Sequence, residues 1–337
     1  MLPEKLYCNN YEVDLKNLQT VLRRAKGRRI LLHAPDGLKH LYSCIAEVLG
    51  KVDFEVYYSL NPGYGACDLP LEEAKAVEAD LILHIGHSEY KLAGTPGVNT
   101  IYLPVYYIEK PEVQLLEDLH MRLEHLGANR VSVSSTLIET YFREHVANYL
   151  LSKGYTVKQI EEPVLGCFYN HVVILDHWAD SHVVIAGGVF HPLGLALVSS
   201  KPVVALDPYL RKTWYVKPEA EKVLKKRMYM LLRAKMSTRG LLGLVIGARP
   251  GQYRYNLVEY LEKLAESKGY KVYKITSEYL TLERLIAIDD ALNLDFYVVT
   301  SCPRLAIDDL SEFHKPVLTP GEFIMLINES ARYIFPW

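Results

Sequence analysis

RILLHAPDG, residues 29–37, is the stretch whose reading decides the fold. The short apolar run Arg29-Ile30-Leu31-Leu32-His33 reads as a strand, and Pro35-Asp36-Gly37 turns the chain into a helix. A second strand, Phe54 to Tyr58, ends in Asn61-Pro62-Gly63-Tyr64-Gly65-Ala66-Cys67. A third, Leu81 to Ile85, runs into Gly86-His87-Ser88, and a fourth covers Thr100 to Val105. Strands alternating with helical patterns are the signature of parallel α/β units.

The same order is written twice more. Arg130 to Ser134 opens the second unit; Tyr155 to Ile160 leads to Val164-Leu165-Gly166-Cys167. Val183 to Ala186 runs into Gly187-Gly188-Val189-Phe190-His191, and Val203 to Leu206 into Asp207-Pro208-Tyr209. The third unit opens with Leu242 to Ile246, followed by Ala248-Arg249-Pro250-Gly251-Gln252. It continues with Tyr270 to Ile275, then Phe296 to Val299 into Thr300-Ser301-Cys302-Pro303, then Pro316 to Leu318. The joint Ser152-Lys153-Gly154-Tyr155 recurs as Ser267-Lys268-Gly269-Tyr270, each Gly suited to a helix C-cap. The expected fold is therefore α/β, with three related domains at 1–110, 111–215 and 216–337. Each is a small parallel sheet flanked by helices, and the three meet at a central site.

The whole-chain numbers agree with a multi-domain globular protein. The 337 residues are 50% hydrophobic and 23% charged, enough for buried cores and too long for a single one. A net charge of −2 gives no global basic field toward nucleic acid or an anionic membrane. The basic run Lys222 to Arg233 alternates with apolar residues at helical spacing and reads as a solvated helix face. No apolar stretch reaches the ~20 residues of a membrane span, and the expected location is cytoplasmic. Five cysteines in such a chain argue for reduced thiols over a disulfide framework.

Ligands of open parallel sheets bind beyond the carboxyl ends of the strands. Cys67, Cys167 and Cys302 all fall there, one per unit, and no pair has C-x-x-C spacing. Cys8 lies in the N-terminal arm and Cys44 in the first helix. Three thiolates converging from three units suggest a metal site with a vacant position. Zinc catalysis would need His or carboxylate help, for which His87 and His191 are placed. Three thiolates with an open fourth position suit a [4Fe–4S] cluster with one accessible iron better. Gly187 and Gly188 let a ligand approach the backbone closely. Arg254, in the loop that begins at Arg249, can meet a carboxylate. His33, His84, His171, His177 and His182 read as structural.

Taken in order, Tyr64-Gly65-Ala66-Cys67-Asp68, Leu165-Gly166-Cys167, Phe190 to Ala196 (FHPLGLA), Asp207-Pro208-Tyr209, Gly251-Gln252 and Cys302-Pro303-Arg304 resemble the archaeal diphthamide synthase family. The resemblance spans nearly the whole chain. It implies that Cys67, Cys167 and Cys302 hold a [4Fe–4S] cluster whose fourth iron meets S-adenosylmethionine. It further implies transfer of a 3-amino-3-carboxypropyl radical to C2 of a histidine on translation elongation factor 2, leaving methylthioadenosine. A homodimer, an external electron donor and no membrane or direct nucleic-acid partner are implied as well. Gly187, Gly188, His191, Asp207, Gln252 and Arg254 are the candidate cofactor-binding residues. The chain departs from the family at Leu137-Ile138, where relatives tend to have Gln-His, and at Arg249-Pro250, where they often have a lysine. Two other readings compete: a quinolinate synthase-like [4Fe–4S] dehydratase, and a non-catalytic ligand-binding α/β protein. FHPLGLA and CPRLAID favour the first reading over the dehydratase; the ligand-binding reading predicts two lobes and no role for the cysteines, and the cytosolic character disfavours it.

Overall fold

The computed structural model describes residues 2–24, 27–89, 98–237, 239–249, 251–330 and 332–336. In chain order the strands are β1 (Lys5–Cys8), β2 (Tyr11–Asp14), β3 (Arg29–His33), β4 (Glu55–Tyr58), β5 (Leu81–Ile85), β6 (Asn99–Leu103), β7 (Val105–Tyr107) and β8 (Arg130–Ser135). They continue as β9 (Thr156–Gln159), β10 (Ser181–Ile185), β11 (Val203–Asp207), β12 (Lys212–Tyr215), β13 (Leu241–Gly247), β14 (Lys271–Ser277), β15 (Phe296–Val299) and β16 (Val317–Leu318).

Three parallel sheets carry the architecture. Their orders are β4-β3-β5-β6, β12-β11-β10-β8-β9 and β14-β13-β15-β16. In each, the first strand of the unit pairs with both the second and the third, the ladder that right-handed crossovers produce. The inner strands β5, β10 and β15 are buried at every position, as sheets covered by helices on both faces require. Each sheet has its own apolar core, built around Ile30 and Leu83, Val131 and Val183, and Leu244 and Phe296. Phe335, near the carboxyl end, packs back against the second unit's core.

Three expectations are corrected. Thr100 to Val105 is not one strand: it breaks at Pro104, which has no N–H for a ladder, into β6 and β7. Strand β7 joins β1 and β2 in a separate antiparallel sheet. The second sheet gains the antiparallel edge strand β12. Finally, Cys8 and Cys44 form a disulfide, so the arm and the helix Tyr42–Gly50 are cross-linked. An expected compartment says nothing about which residues packing brings together. Here the arm folds onto the first unit's core and places the two Cα atoms 6.1 Å apart.

The helix read over Lys222 to Arg233 exists as Lys217–Lys235. Its face is not wholly solvated. Arg227 is buried and forms an ion pair with Glu322, while also donating to the carbonyls of Ala306 and Val317. That pair fastens the long helix to the helix Pro320–Asn328.

Candidate functional site

Loops at the carboxyl ends of the three parallel sheets carry the candidate residues to one junction. Cys67 and Cys167 follow the edge strands β4 and β9, whereas Cys302 follows the inner strand β15. The third unit thus delivers its thiol from a different loop. In the first two units the loop after β5 carries His87, and the helix that follows β10, Phe190–Val198, carries His191. None of the three cysteines is in a disulfide, and all are half-buried.

Each cysteine is shaped locally by its own chain. Asp68 closes a turn on Gly65, with Asp68 N–H donating to the Gly65 carbonyl at 2.9 Å. The Asp68 carboxylate accepts from Tyr64 N–H at 3.2 Å and also meets the Arg249 guanidinium from the third unit. Tyr102 donates its hydroxyl to the carbonyl of Ala66 at 3.1 Å. Around Cys167, Phe168 N–H donates to Leu165 O at 3.1 Å, forming a one-pair bridge. Leu305 N–H donates to Cys302 O at 3.1 Å as the chain enters a helical turn.

The units touch through small and flat groups. A Cβ on Gly251 would lie 2.4 Å from the Cys67 Cα, so only glycine lets the third unit's loop close on the first. Within the second unit, a Cβ on Gly166 would strike the Phe190 ring at 2.1 Å. The Arg304 guanidinium sits 5.6 Å from the centroids of both Tyr64 and Phe190, linking residues of all three units. The Arg249 guanidinium lies over the Tyr279 ring at 3.6 Å. Pro250, part of the expected departure at this loop, lies outside the described residues.

Electrostatics tie the thiols together. Burial pushes the Cys67 thiol up to about 12, and the neighbouring Cys302 and Cys167 add to the rise while Arg254 opposes it. Burial pushes Cys302 up to about 11, with Cys167 raising it further and Arg254 again opposing. Arg254 is held for this by its donation to the Ser301 carbonyl at 3.0 Å. Among the described residues, no three His, Cys, Asp or Glu side chains converge on one ion-sized point. The thiols nevertheless lie within one another's field, and a set of three thiolates is the donor chemistry that an iron–sulfur cluster takes. A cationic iron centre would also reverse the upward shifts, since a coordinating thiol is deprotonated outright.

The remaining candidates divide into two groups. His191 lies at the junction: it feels Arg304, touches the Phe190 ring and leaves a buried Nδ1 without a hydrogen bond. Gln252 is buried beside Gly247, with its N–H donated to Arg249 O at 2.9 Å. Asp207 is buried and committed to backbone. It accepts from Gly188 N–H at 2.7 Å, Tyr209 N–H at 2.8 Å and Leu210 N–H at 2.9 Å. It thereby fixes the exposed Gly187-Gly188 loop, where Gly188 has a φ of 73°. The departure at Leu137-Ile138 adjoins this loop through Glu139, which accepts from the Tyr209 hydroxyl at 2.8 Å. Composition and spacing did not single out Arg304, Tyr64 or Phe190 as a bridging set. Their only signal was position beside a cysteine or a strand end.

A family model described as "Putative diphthamide synthesis protein" matches residues 34–334. Over 333 residues the chain is 29% identical to a 2-(3-amino-3-carboxypropyl)histidine synthase from Pyrococcus horikoshii, covering 96% of this chain and 93% of that one. A synthase of the same name from Methanocaldococcus jannaschii is 25% identical over 320 residues, with 91% and 86% covered. The crystal structure of Dph2 from Pyrococcus horikoshii aligns with a TM-score of 0.79 at 28% identity, over 95% of this chain and 92% of that one. A second crystal structure of the same protein, with a 4Fe-4S cluster, aligns with a TM-score of 0.80 at 27% identity, over 99% and 94%.

Proposed function

The chain belongs to the diphthamide synthesis family, and from that premise we propose that it transfers the 3-amino-3-carboxypropyl group of S-adenosylmethionine to C2 of a histidine imidazole on translation elongation factor 2. The observation that carries the reading is the arrangement of three cysteines outside any disulfide, one following a strand of each sheet, within one another's electrostatic field at one junction. Cys67, Cys167 and Cys302 would hold a [4Fe–4S] cluster, as the Pyrococcus horikoshii relative carries one. When bound, such a cluster supplies the electron that breaks the sulfonium's bond to the methionine γ-carbon, given an external one-electron donor.

The chain's own residues supply position and field. Arg254, aimed by the Ser301 carbonyl, offsets the anionic charge that three thiolates bring to the junction. The Gly187-Gly188 loop, fixed by Asp207, offers backbone that a cofactor can approach closely. His191 and Gln252 face the same junction as polar groups able to orient the methionine or adenosine parts. Arg304, Tyr64 and Phe190 close the junction with a cation between two rings. Orientation of this kind is worth several kcal/mol of the barrier, ~7–11 in well-aligned systems. We further propose a homodimer. Among the described residues no helix is long and apolar enough to cross a membrane.

The reading is tested by anaerobic reconstitution with iron and sulfide, followed by dithionite, S-adenosylmethionine and elongation factor 2. Methylthioadenosine, with an aminocarboxypropyl mass added to the factor, is expected. Formation of 5′-deoxyadenosine, or turnover undiminished in Cys302→Ala, would overturn it.

A further inference from the structure

Three histidines of the first unit form a continuous hydrogen-bonded chain that the reaction as outlined above leaves unused. His33 and His84 are register partners on β3 and β5, with their Nδ1 atoms 2.9 Å apart. His84 Nε2 lies 2.9 Å from His87 Nδ1, and those two rings stack at 5.0 Å. At the other end, His33 Nε2 is 3.4 Å from the carbonyl oxygen of Pro62.

That carbonyl sets the polarity of the whole chain. A carbonyl only accepts, and a neutral imidazole has one N–H and one lone pair. His33 must therefore donate from Nε2 to Pro62, leaving a lone pair on Nδ1. His84 donates from Nδ1 to His33, leaving a lone pair on Nε2. His87 then donates from Nδ1 to His84. The nitrogen left over, Nε2 of His87, carries a lone pair. Burial keeps the rings neutral, holding His33 and His87 at about 4 and His84 well below the usual histidine value.

This lone pair belongs to the one ring of the chain that is not fully buried. His87 follows β5, in the loop that corresponds to the Cys302 loop of the third unit, and lies within the field of His191 across the junction. His191, by contrast, has a buried Nδ1 with no hydrogen bond among the described residues.

We propose that His87 is the proton acceptor of the transfer reaction, and that His84 and His33 are positioning residues that fix its tautomer. The proposal rests on the function given above. Once the aminocarboxypropyl carbon has bonded to C2 of the target imidazole, the C2–H bond must break to restore the aromatic ring. The electron pair of that bond stays on the ring, and the proton passes to Nε2 of His87. The one electron in excess passes to a one-electron acceptor of the iron–sulfur class, the oxidised cluster. Radical plus imidazole then gives substituted imidazole, one proton and one electron.

Two measurements test this. In the metal-free full chain, ¹⁵N-histidine NMR with resonances assigned by single His→Gln variants reads the tautomers directly. A protonated Nδ1 and a bare Nε2 on His87 are expected, and His84→Asn should make that tautomer mixed. A protonated Nε2 on His87 in the unaltered protein overturns the proposal. In the reconstituted enzyme, His87→Gln should still release methylthioadenosine, while the modified imidazole formed per methylthioadenosine falls ~100-fold, the scale of a lost general base. An unchanged ratio overturns the proposal. If the unaltered protein releases no methylthioadenosine, the functional reading falls by itself, and the tautomer measurement still decides the polarity of the chain.

Discussion

Replacing Gly251 by alanine perturbs the junction at its tightest point. The new Cβ would sit 2.4 Å from the Cys67 Cα, 2.5 Å from its carbonyl oxygen and 2.6 Å from its Cβ. Ordinary contact begins near 3.4 Å, so the two loops must part by about 1 Å. The atoms in the way are mostly backbone, which has no rotamer to escape into. Overpacking of this kind costs ~1–3 kcal/mol in stability. The larger effect falls on chemistry, because Cys67 moves with its loop while Cys167 and Cys302 stay. A displacement of ~1 Å costs ~100-fold in rate where geometry is critical. The assay is iron and sulfide content after anaerobic reconstitution, followed by methylthioadenosine release and thermal unfolding. Gly65→Ala is the control, since its Cβ would meet the Cys67 sulfur at 3.6 Å, an ordinary contact. Gly251→Ala should lose the cluster or turn over ~100-fold more slowly, and Gly65→Ala should do neither. Equal behaviour of the two variants would refute the loop packing described here.

Two further outcomes follow from buried groups away from the junction. His33 is fully buried and neutral in the folded chain, its pKa pushed down from 6.5 to about 4 chiefly by desolvation. The unfolded imidazole takes up its proton first, so stability is full above about pH 6.5 and declines until about pH 4, by ~3 kcal/mol from His33 alone. Urea midpoints across that window check this, and a His33→Gln chain that declines as steeply as the unaltered one would contradict it. Cys8→Ser or Cys44→Ser should cost about 4 kcal/mol of unfolding free energy, by the chain-entropy account of a loop closed over a separation of 36 residues. Iron uptake should stay intact, and loss of iron in either variant would contradict the separation of these two cysteines from the other three.

Much of the fold was legible because apolar runs such as Arg29–His33 and Val183–Ala186 alternate with helical spacing, a local pattern. The antiparallel sheet was not. Strands β1, β2 and β7 are three or four residues long, and β2 pairs with a strand more than ninety positions later. Pro104 carried a signal for the break between β6 and β7 in its missing N–H, but the apolar residues on either side read as a single strand. The approach of Cys67, Cys167 and Cys302 to one junction was legible from strand-end position, and so was the odd loop of Cys302. The Cys8–Cys44 bond was hidden because it depends on how the arm folds over the first unit. The histidine chain left a trace: RILLH and LILHI place His33 and His84 near matching strand ends. Only the register of β3 on β5 turns that trace into a contact. Arg304 between Tyr64 and Phe190 needed all three units assembled, which no local pattern encodes.

The central claim is that three thiols from three sheets hold one cluster. Counting iron and sulfide per chain after anaerobic reconstitution tests it most directly, in the unaltered protein and in Cys67→Ala, Cys167→Ala and Cys302→Ala. The account predicts one [4Fe–4S] cluster per chain, lost or degraded in each of the three variants. A full cluster retained in any one of them would contradict it.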